Sequence, residues 1–183
     1  MKKFIIGCAL ALASVMAQAA APLVINGTFE NGLTGWTQSG NTAYQSVFAQ
    51  KSGNHSFSDG AIGQVGYLNK LITTIAGSHY DLSFDLRSTT ENGVNHSEVV
   101  FGDLVAGSVK DNFYLPTFQH FTFTNLLATG NATLLQFAFQ NSESFILLDN
   151  VALQVSAVPE PVTYLMLLMG LGLITLVKRR RSR

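Results

Sequence analysis

The chain has 183 residues, 47% of them hydrophobic and 12% charged, and its eleven basic residues balance its eleven acidic ones. That neutrality hides an asymmetry, because Lys2, Lys3 and the five basic residues after Val177 leave Lys51, Lys70, Arg87 and Lys110 as the only bases between them. Ten acids share the same middle region, so it carries about −6, which argues against nucleic-acid binding and is compatible with cations and neutral glycans.

At the N-terminus, Lys2-Lys3 precede an apolar stretch from Phe4 to Met16, and Ala17-Gln18-Ala19 supplies a small-x-small cleavage site. This is the pattern of a secretory signal peptide, residues 1–19, cut by signal peptidase after Ala19. The lone cysteine, Cys8, lies inside it. Ile5-Ile6-Gly7-Cys8 resembles a lipoprotein box but falls too early to leave an apolar region ahead of it. The mature chain is therefore expected to fold without a disulfide.

Residues 20–157 form one domain's length of chain. No sustained 3.6-residue apolar period runs through them; period-two alternation does. Candidate strands are Leu23–Asn26, Tyr44–Ala49, Ile62–Val65, Asn69–Thr74, Tyr80–Arg87, Glu98–Phe101, Phe121–Thr124, Leu135–Gln140 and Asn150–Val155. The clearest is Tyr80–Arg87, where Tyr80, Leu82, Phe84 and Leu86 alternate with Asp81, Ser83, Asp85 and Arg87. Asp85 and Arg87 share its polar face and are expected to form a weak exposed pair. Gly-, Asn- and Ser-rich clusters such as Asn31-Gly32, Ser52-Gly53-Asn54 and Thr129-Gly130-Asn131 separate the runs. Short strands, polar turns and thirteen phenylalanines predict an all-β sandwich whose two sheets enclose an aromatic-rich core.

The run Asn26-Gly27-Thr28-Phe29-Glu30-Asn31-Gly32-Leu33-Thr34-Gly35-Trp36 resembles the opening of carbohydrate-binding-module-like, galactose-binding-like jelly rolls. Ser52-Gly53-Asn54-His55-Ser56 resembles their next turn, Tyr80–Leu86 a central strand and Leu148–Leu153 the closing one. The resemblance spans Leu23 to Val155 and implies a jelly-roll β-sandwich, without naming one function for a fold that hosts many. It also implies a structural calcium ion, held by the side chains of Glu30 and Asp149 with backbone carbonyls near Thr28 and Lys51. The alternative is that Glu30 caps a turn and Asp149 accepts from backbone amides. By period two, Asp149 is expected to face inward with Val151 and Leu153. Trp36 is expected in the core. Tyr44, Tyr67, Phe113 and Tyr114 fall in or beside predicted loops and are candidates to line a glycan groove.

Other catalytic or metal signatures are missing. His55, His79, His96 and His120 are dispersed, with no H-x-H or H-E-x-x-H spacing, and no G-x-S-x-G elbow occurs. No enzymatic activity is expected, although a small polysaccharide hydrolase on a β-sandwich and a purely structural matrix protein stand as alternatives to a binding protein.

The chain ends on Val158-Pro159-Glu160-Pro161, the uncharged run Val162–Val177 and the block Lys178–Arg183. Two prolines stiffen the segment before the apolar run. Sixteen helical residues would rise about 24 Å against a bilayer core of about 30 Å. The span is short, but Tyr164 suits one interface and the basic cluster can snorkel at the other. Residues 158–183 closely resemble the PEP-CTERM sorting signal, with a transmembrane helix over 162–177. The resemblance implies a Gram-negative bacterium that makes exopolysaccharide, and an exosortase that reads Pro159, Glu160 and Pro161. With Lys2-Lys3 it predicts both ends in the cytoplasm and the sandwich outside before processing. The mature protein would be left at the cell surface or in the extracellular matrix.

Overall fold

Ten strands are laid down in order in a computed structural model that describes residues 22–50, 53–89, 95–109, 114–141, 145–156 and 168–173. They are β1 (Thr37–Gly40), β2 (Ser46–Ala49), β3 (His55–Asp59), β4 (Gly66–Thr73), β5 (His79–Ser88), β6 (His96–Phe101), β7 (Leu104–Val109), β8 (Gln119–Leu127), β9 (Ala132–Gln140) and β10 (Ile146–Val155). One five-stranded sheet has the order β1-β4-β9-β6-β7 and the other β2-β3-β10-β5-β8. Their ladders are antiparallel, and sequence neighbours repeatedly fall in opposite sheets, the arrangement of a jelly-roll β-sandwich.

Alternation decides which side chains fill the interior. On β5, Tyr80, Leu82, Phe84 and Leu86 are buried, while Asp81, Ser83, Asp85 and Arg87 between them are partly open. Aromatic contacts tie the two sheets together. Phe84 on β5 meets Phe137 on β9 edge-on at 5.1 Å between ring centres, and Phe57 on β3 meets Phe139 on β9 at 5.8 Å. Such pairs each add about 0.5–1.5 kcal/mol beyond the area they bury.

Residues 22–36 form a loop against one end of the sandwich, where Leu23–Asn26 was expected to be a strand. Asn26 and Phe29 take φ of 58° and 56°, which strand geometry forbids. The Asn26 amide donates to the carbonyls of Gly32 and Thr34, closing the loop on itself. Val24, Phe29 and Trp36 point in, whereas Ile25 is exposed: Phe29 is fully buried, and Trp36 is buried with its Nε1 donating to the Asn26 carbonyl at 2.9 Å. Trp36 is thus a core residue.

Strands β1, β3 and β7 lack an apolar alternation that a sequence pattern could show. In β3 only Phe57 is apolar, and Ser56, Ser58 and Asp59 are buried polar residues under neighbouring strands. Ile62–Val65, expected as a strand, contributes one isolated bridge, Ile62 to Asn141. Residues 168–173 are helical, and Leu168, Met169, Leu171 and Leu173 are exposed. Among the described residues no helix is long and apolar enough to cross a membrane. The signal peptide and the remainder of the 162–177 span lie outside the described residues.

Candidate functional site

A rung of side chains crosses four strands on the outer face of the β2-β3-β10-β5-β8 sheet. Ser46 on β2 pairs with Ser58 on β3, Ser58 with Leu147 on β10, and Leu147 with Arg87 on β5. Beyond Arg87 and Leu147 the chain segments are clasped by Thr89 and Phe145, whose backbone and hydroxyl groups exchange hydrogen bonds of 3.0 to 3.2 Å. Phe48 and Phe145 stand over this floor, 57% and 45% exposed. Together these seven residues line a groove of about 350 Å³. Its composition is that of a ligand site: apolar walls and a few polar groups on a rigid sheet.

Among the described residues Arg87 is the one charged side chain lining the groove. Its Nε is buried and carries no hydrogen bond. The expected Asp85–Arg87 pair does not form, because Asp85 is occupied elsewhere. One Asp85 oxygen lies 2.6 Å from His120 Nδ1, and the other accepts from Asn150 Nδ2 at 2.7 Å. Among the described residues no carboxylate pairs with Arg87.

Of the aromatic candidates, Tyr44 is 54% exposed and reaches the groove's edge. A Cβ placed on Gly60 would lie 2.6 Å from the Phe145 ring and 3.1 Å from Tyr44 Cβ, so both residues crowd that glycine. Tyr114 is exposed, and its neighbour Leu115 accepts from the Ser88 amide at 3.2 Å, near the Arg87 end. Tyr67 lies on β4 of the other sheet, its ring over Gly40. Phe113 is outside the described residues. No motif in the sequence marks Phe48, Phe145 or Leu147. A signal existed: Phe145-Ile146-Leu147-Leu148 is an unbroken apolar run, so its outward members had to make an apolar outer surface.

The acidic residues gather one rung along. Asp149 lies opposite Asp85 across the β10–β5 ladder. Asp149 does not share the inward face of Val151 and Leu153, as strict alternation had suggested. A β-bulge between Asp149 and Ala152, with Asn150 at φ 52°, shifts the register and turns Asp149 to the Asp85 side. It is nonetheless only 8% exposed, and its Oδ1 accepts from the Asn150 amide at 2.7 Å. Burial, with the charges of Asp85 and Glu30 nearby, raises its carboxyl to a pKa of about 6. Glu30 accepts from the His55 amide, and its other oxygen lies 2.8 Å from His55 Nδ1. Those hydrogen bonds lower its pKa. The bonds to the Asn150 and His55 amides are those of the metal-free alternative. Thr28 follows Gly27, whose carbonyl accepts from the Val151 amide at 2.9 Å, so the loop lies along β10 beside Asp149. Lys51 is outside the described residues.

In its chemistry this donor set suits a hard divalent cation: two carboxylates, with Asp149 sensing the charge of Glu30. Among the described residues no three His, Cys, Asp or Glu side chains converge on one point, so carbonyl oxygens would have to complete the shell.

Residues 157–181 match the PEP-CTERM protein-sorting motif. The chain carries a PEP-CTERM sorting signal. The match includes Pro159, Glu160 and Pro161 and follows directly on the end of the sandwich. About three quarters of the chain is similar in fold to solved structures. The carbohydrate-binding module TmCBM61, solved with β-1,4-galactotriose, aligns at a TM-score of 0.61 and 12% identity over 75% of this chain and 100% of that one. The K3 adhesin domain of Lys-gingipain from Porphyromonas gingivalis aligns at 0.57 and 14% identity over 73% and 99%. A Stig cyclase from Fischerella sp. TAU aligns at 0.54 and 16% identity over 75% and 98%. At these identities the likeness is one of fold, and the fold serves binding modules and an enzyme alike. No curated protein matches the chain.

Proposed function

We propose that this chain is a secreted, surface-sorted, non-catalytic protein that binds carbohydrate in the Phe48–Arg87–Phe145 groove, within an exopolysaccharide or biofilm matrix. The groove carries this reading. Its two exposed phenylalanine rings can pack on sugar faces, while Ser46, Ser58, Thr89 and Arg87 offer hydrogen bonds to hydroxyls. Among the described residues lining it there is no carboxylate or histidine to serve as a pair for general acid–base hydrolysis.

The sorting signal supports the destination. Signal peptidase would cut after Ala19, the basic end would hold the tail briefly in the inner membrane, and exosortase would read Pro159 to Pro161. A structural calcium held by Glu30, Asp149 and the carbonyls near Thr28 and Lys51 would fasten the 22–36 loop to β10. The ion would neutralise crowded carboxylates and take no part in ligand chemistry.

Binding of the purified residue 20–157 region to a glycan array, with Phe145→Ala alongside, tests the groove. Saturable binding weakened about tenfold by the substitution supports it. Saturable binding untouched by Phe145→Ala, or hydrolysis of a polysaccharide by the pure protein, would overturn it. Fractionation and intact mass of the native protein test the sorting step: a Glu160→Ala chain with unchanged mass and location would refute recognition of the Pro-Glu-Pro segment.

A further inference from the structure

The unpaired arginine in the groove is informative about what the groove takes. A guanidinium is always charged and presents its donors as a planar fork. In folded proteins a partly buried guanidinium ordinarily finds a carboxylate or several carbonyls, because an unmade hydrogen bond in a shielded place is costly. Among the described residues Arg87 has neither, although carboxylates are near in the ladder. Asp85 sits two residues away on the same face, but His120 and Asn150 take its oxygens. Asp149, opposite Asp85, accepts from the Asn150 amide at its own Oδ1. Among the described residues the acids of this face are therefore engaged away from Arg87, and Phe48, Leu147 and Phe145 line the groove with it as apolar surface. Low polarity around a lone cation strengthens its attraction for an anion and disfavours leaving it unmatched.

We infer that the groove selects an anionic saccharide, a sugar bearing a carboxylate or sulfate group, with Arg87 receiving the acidic group and the phenylalanine rings receiving the sugar faces. This inference rests on the groove reading above and adds the ligand's charge. A carboxylate accepting side-on from Nε and one terminal nitrogen would satisfy the orphaned donor and make the bidentate contact that arginine favours. The surrounding domain carries about −6, so long-range electrostatics oppose an acidic polymer. Among the described residues the attraction is therefore local to Arg87, and removing that side chain should remove most of it.

The test is calorimetric titration of the sandwich domain with polygalacturonate, the same polymer with its carboxyls reduced to alcohols, dextran sulfate and neutral galactan. Binding to polygalacturonate or dextran sulfate should exceed binding to galactan. It should weaken as sodium chloride rises and fall at least about tenfold in Arg87→Gln. Carboxyl reduction should cause the same loss with no change to the protein, which guards against a variant that folds poorly. The ratio of the two acidic polymers distinguishes carboxylate from sulfate. If galactan binds as well as the acidic polymers, and Phe145→Ala abolishes that binding while Arg87→Gln leaves it intact, the anionic inference is wrong and the groove reading stands. If none of the four polymers binds, both fall.

Discussion

Gln45 Nε2 donates to Asp59 Oδ2 at 2.7 Å, while the Oε1 of the same glutamine amide is buried without a partner. Asp59 is fully buried on β3, and its other oxygen accepts from the Ala61 amide at 2.7 Å. Burial outweighs these hydrogen bonds and pushes the carboxyl up to about 6. A proton on Oδ2 would resolve both problems: after the glutamine amide turns over, Asp59 donates to Oε1 and no charge is buried. Because the folded pKa lies above the unfolded one, Asp59's contribution to stability is complete below about 3.8 and is lost as pH rises through about 6. Asp59→Asn supplies the donor permanently. The expected outcome is a variant more stable than wild type at pH 7.5, by up to about 3 kcal/mol, with the difference vanishing near pH 3.5. Denaturant melts at the two pH values in a chelating buffer check this, and a wild type more stable at pH 7.5 would contradict it.

Removal of the proposed calcium should reverse the ranking of two proteins. With the ion bound, Asp149 is a ligand and its charge is welcome. Without it, Asp149 is a buried carboxylate opposite Asp85 and within reach of Glu30's charge. Asp149→Asn should therefore equal or exceed wild type in thermal stability in chelator, and fall below it in calcium. For a site of millimolar to tenth-millimolar affinity, about 10 mM calcium would stabilise the wild type by roughly 1.4–2.7 kcal/mol. Differential scanning calorimetry with and without chelator reads both midpoints; a wild type indifferent to calcium would remove the ion from the account.

The sandwich was legible where one face of a strand is apolar and the other polar. Tyr80–Arg87 shows this most plainly, and the strand, its buried set and its outward Asp85 and Arg87 all follow from period two. Legibility ended where that premise fails. β3 buries Ser56, Ser58 and Asp59, so its polar residues imitate a turn. Asn150 at φ 52° inserts a bulge that no hydrophobic pattern records, so period two assigns Asp149 to the wrong face. The groove was hidden for another reason. Ser46, Ser58, Arg87 and Leu147 are far apart along the chain, and only strand order and register make them neighbours.

Gly27 fixes the loop that brings Glu30 to the sandwich. A Cβ at that position would stand 1.9 Å from the carbonyl oxygen of Val151, a backbone atom that cannot yield without disturbing the bulge. The Gly27 carbonyl meanwhile accepts from the Val151 amide. Gly27→Ala is expected to destabilise the domain by about 2–4 kcal/mol and to abolish any calcium-dependent rise in midpoint, since it displaces Thr28 and Glu30 together. A control at Gly53, which has open space around its Cβ, should lack the steric cost and show only the strain of its φ of 87°. Chemical denaturation of the three proteins distinguishes close approach from backbone strain.

Lys70 and Trp36 should prove energetically coupled. Lys70 occupies an inward position on β4 between Leu68 and Ile72 and is only 8% exposed. Its ammonium donates to the Gly35 carbonyl at 2.9 Å and lies 4.9 Å from the centre of the Trp36 ring. Burial lowers its pKa, so the charged form is tolerated in the fold at a cost that these contacts offset. A cation over an indole contributes about 0.5–1 kcal/mol when exposed and about 2 when desolvated. A double-mutant cycle of Lys70→Met and Trp36→Phe should give a coupling of about 1 kcal/mol, between those limits. Lys70→Met alone is expected to cost less than Trp36→Phe. Methionine keeps the apolar stem and discards a poorly solvated charge, whereas phenylalanine loses the Nε1 bond to the Asn26 carbonyl and loosens the whole 22–36 loop. Additive effects would mean that Lys70 is held by Gly35 alone and that the indole only covers it.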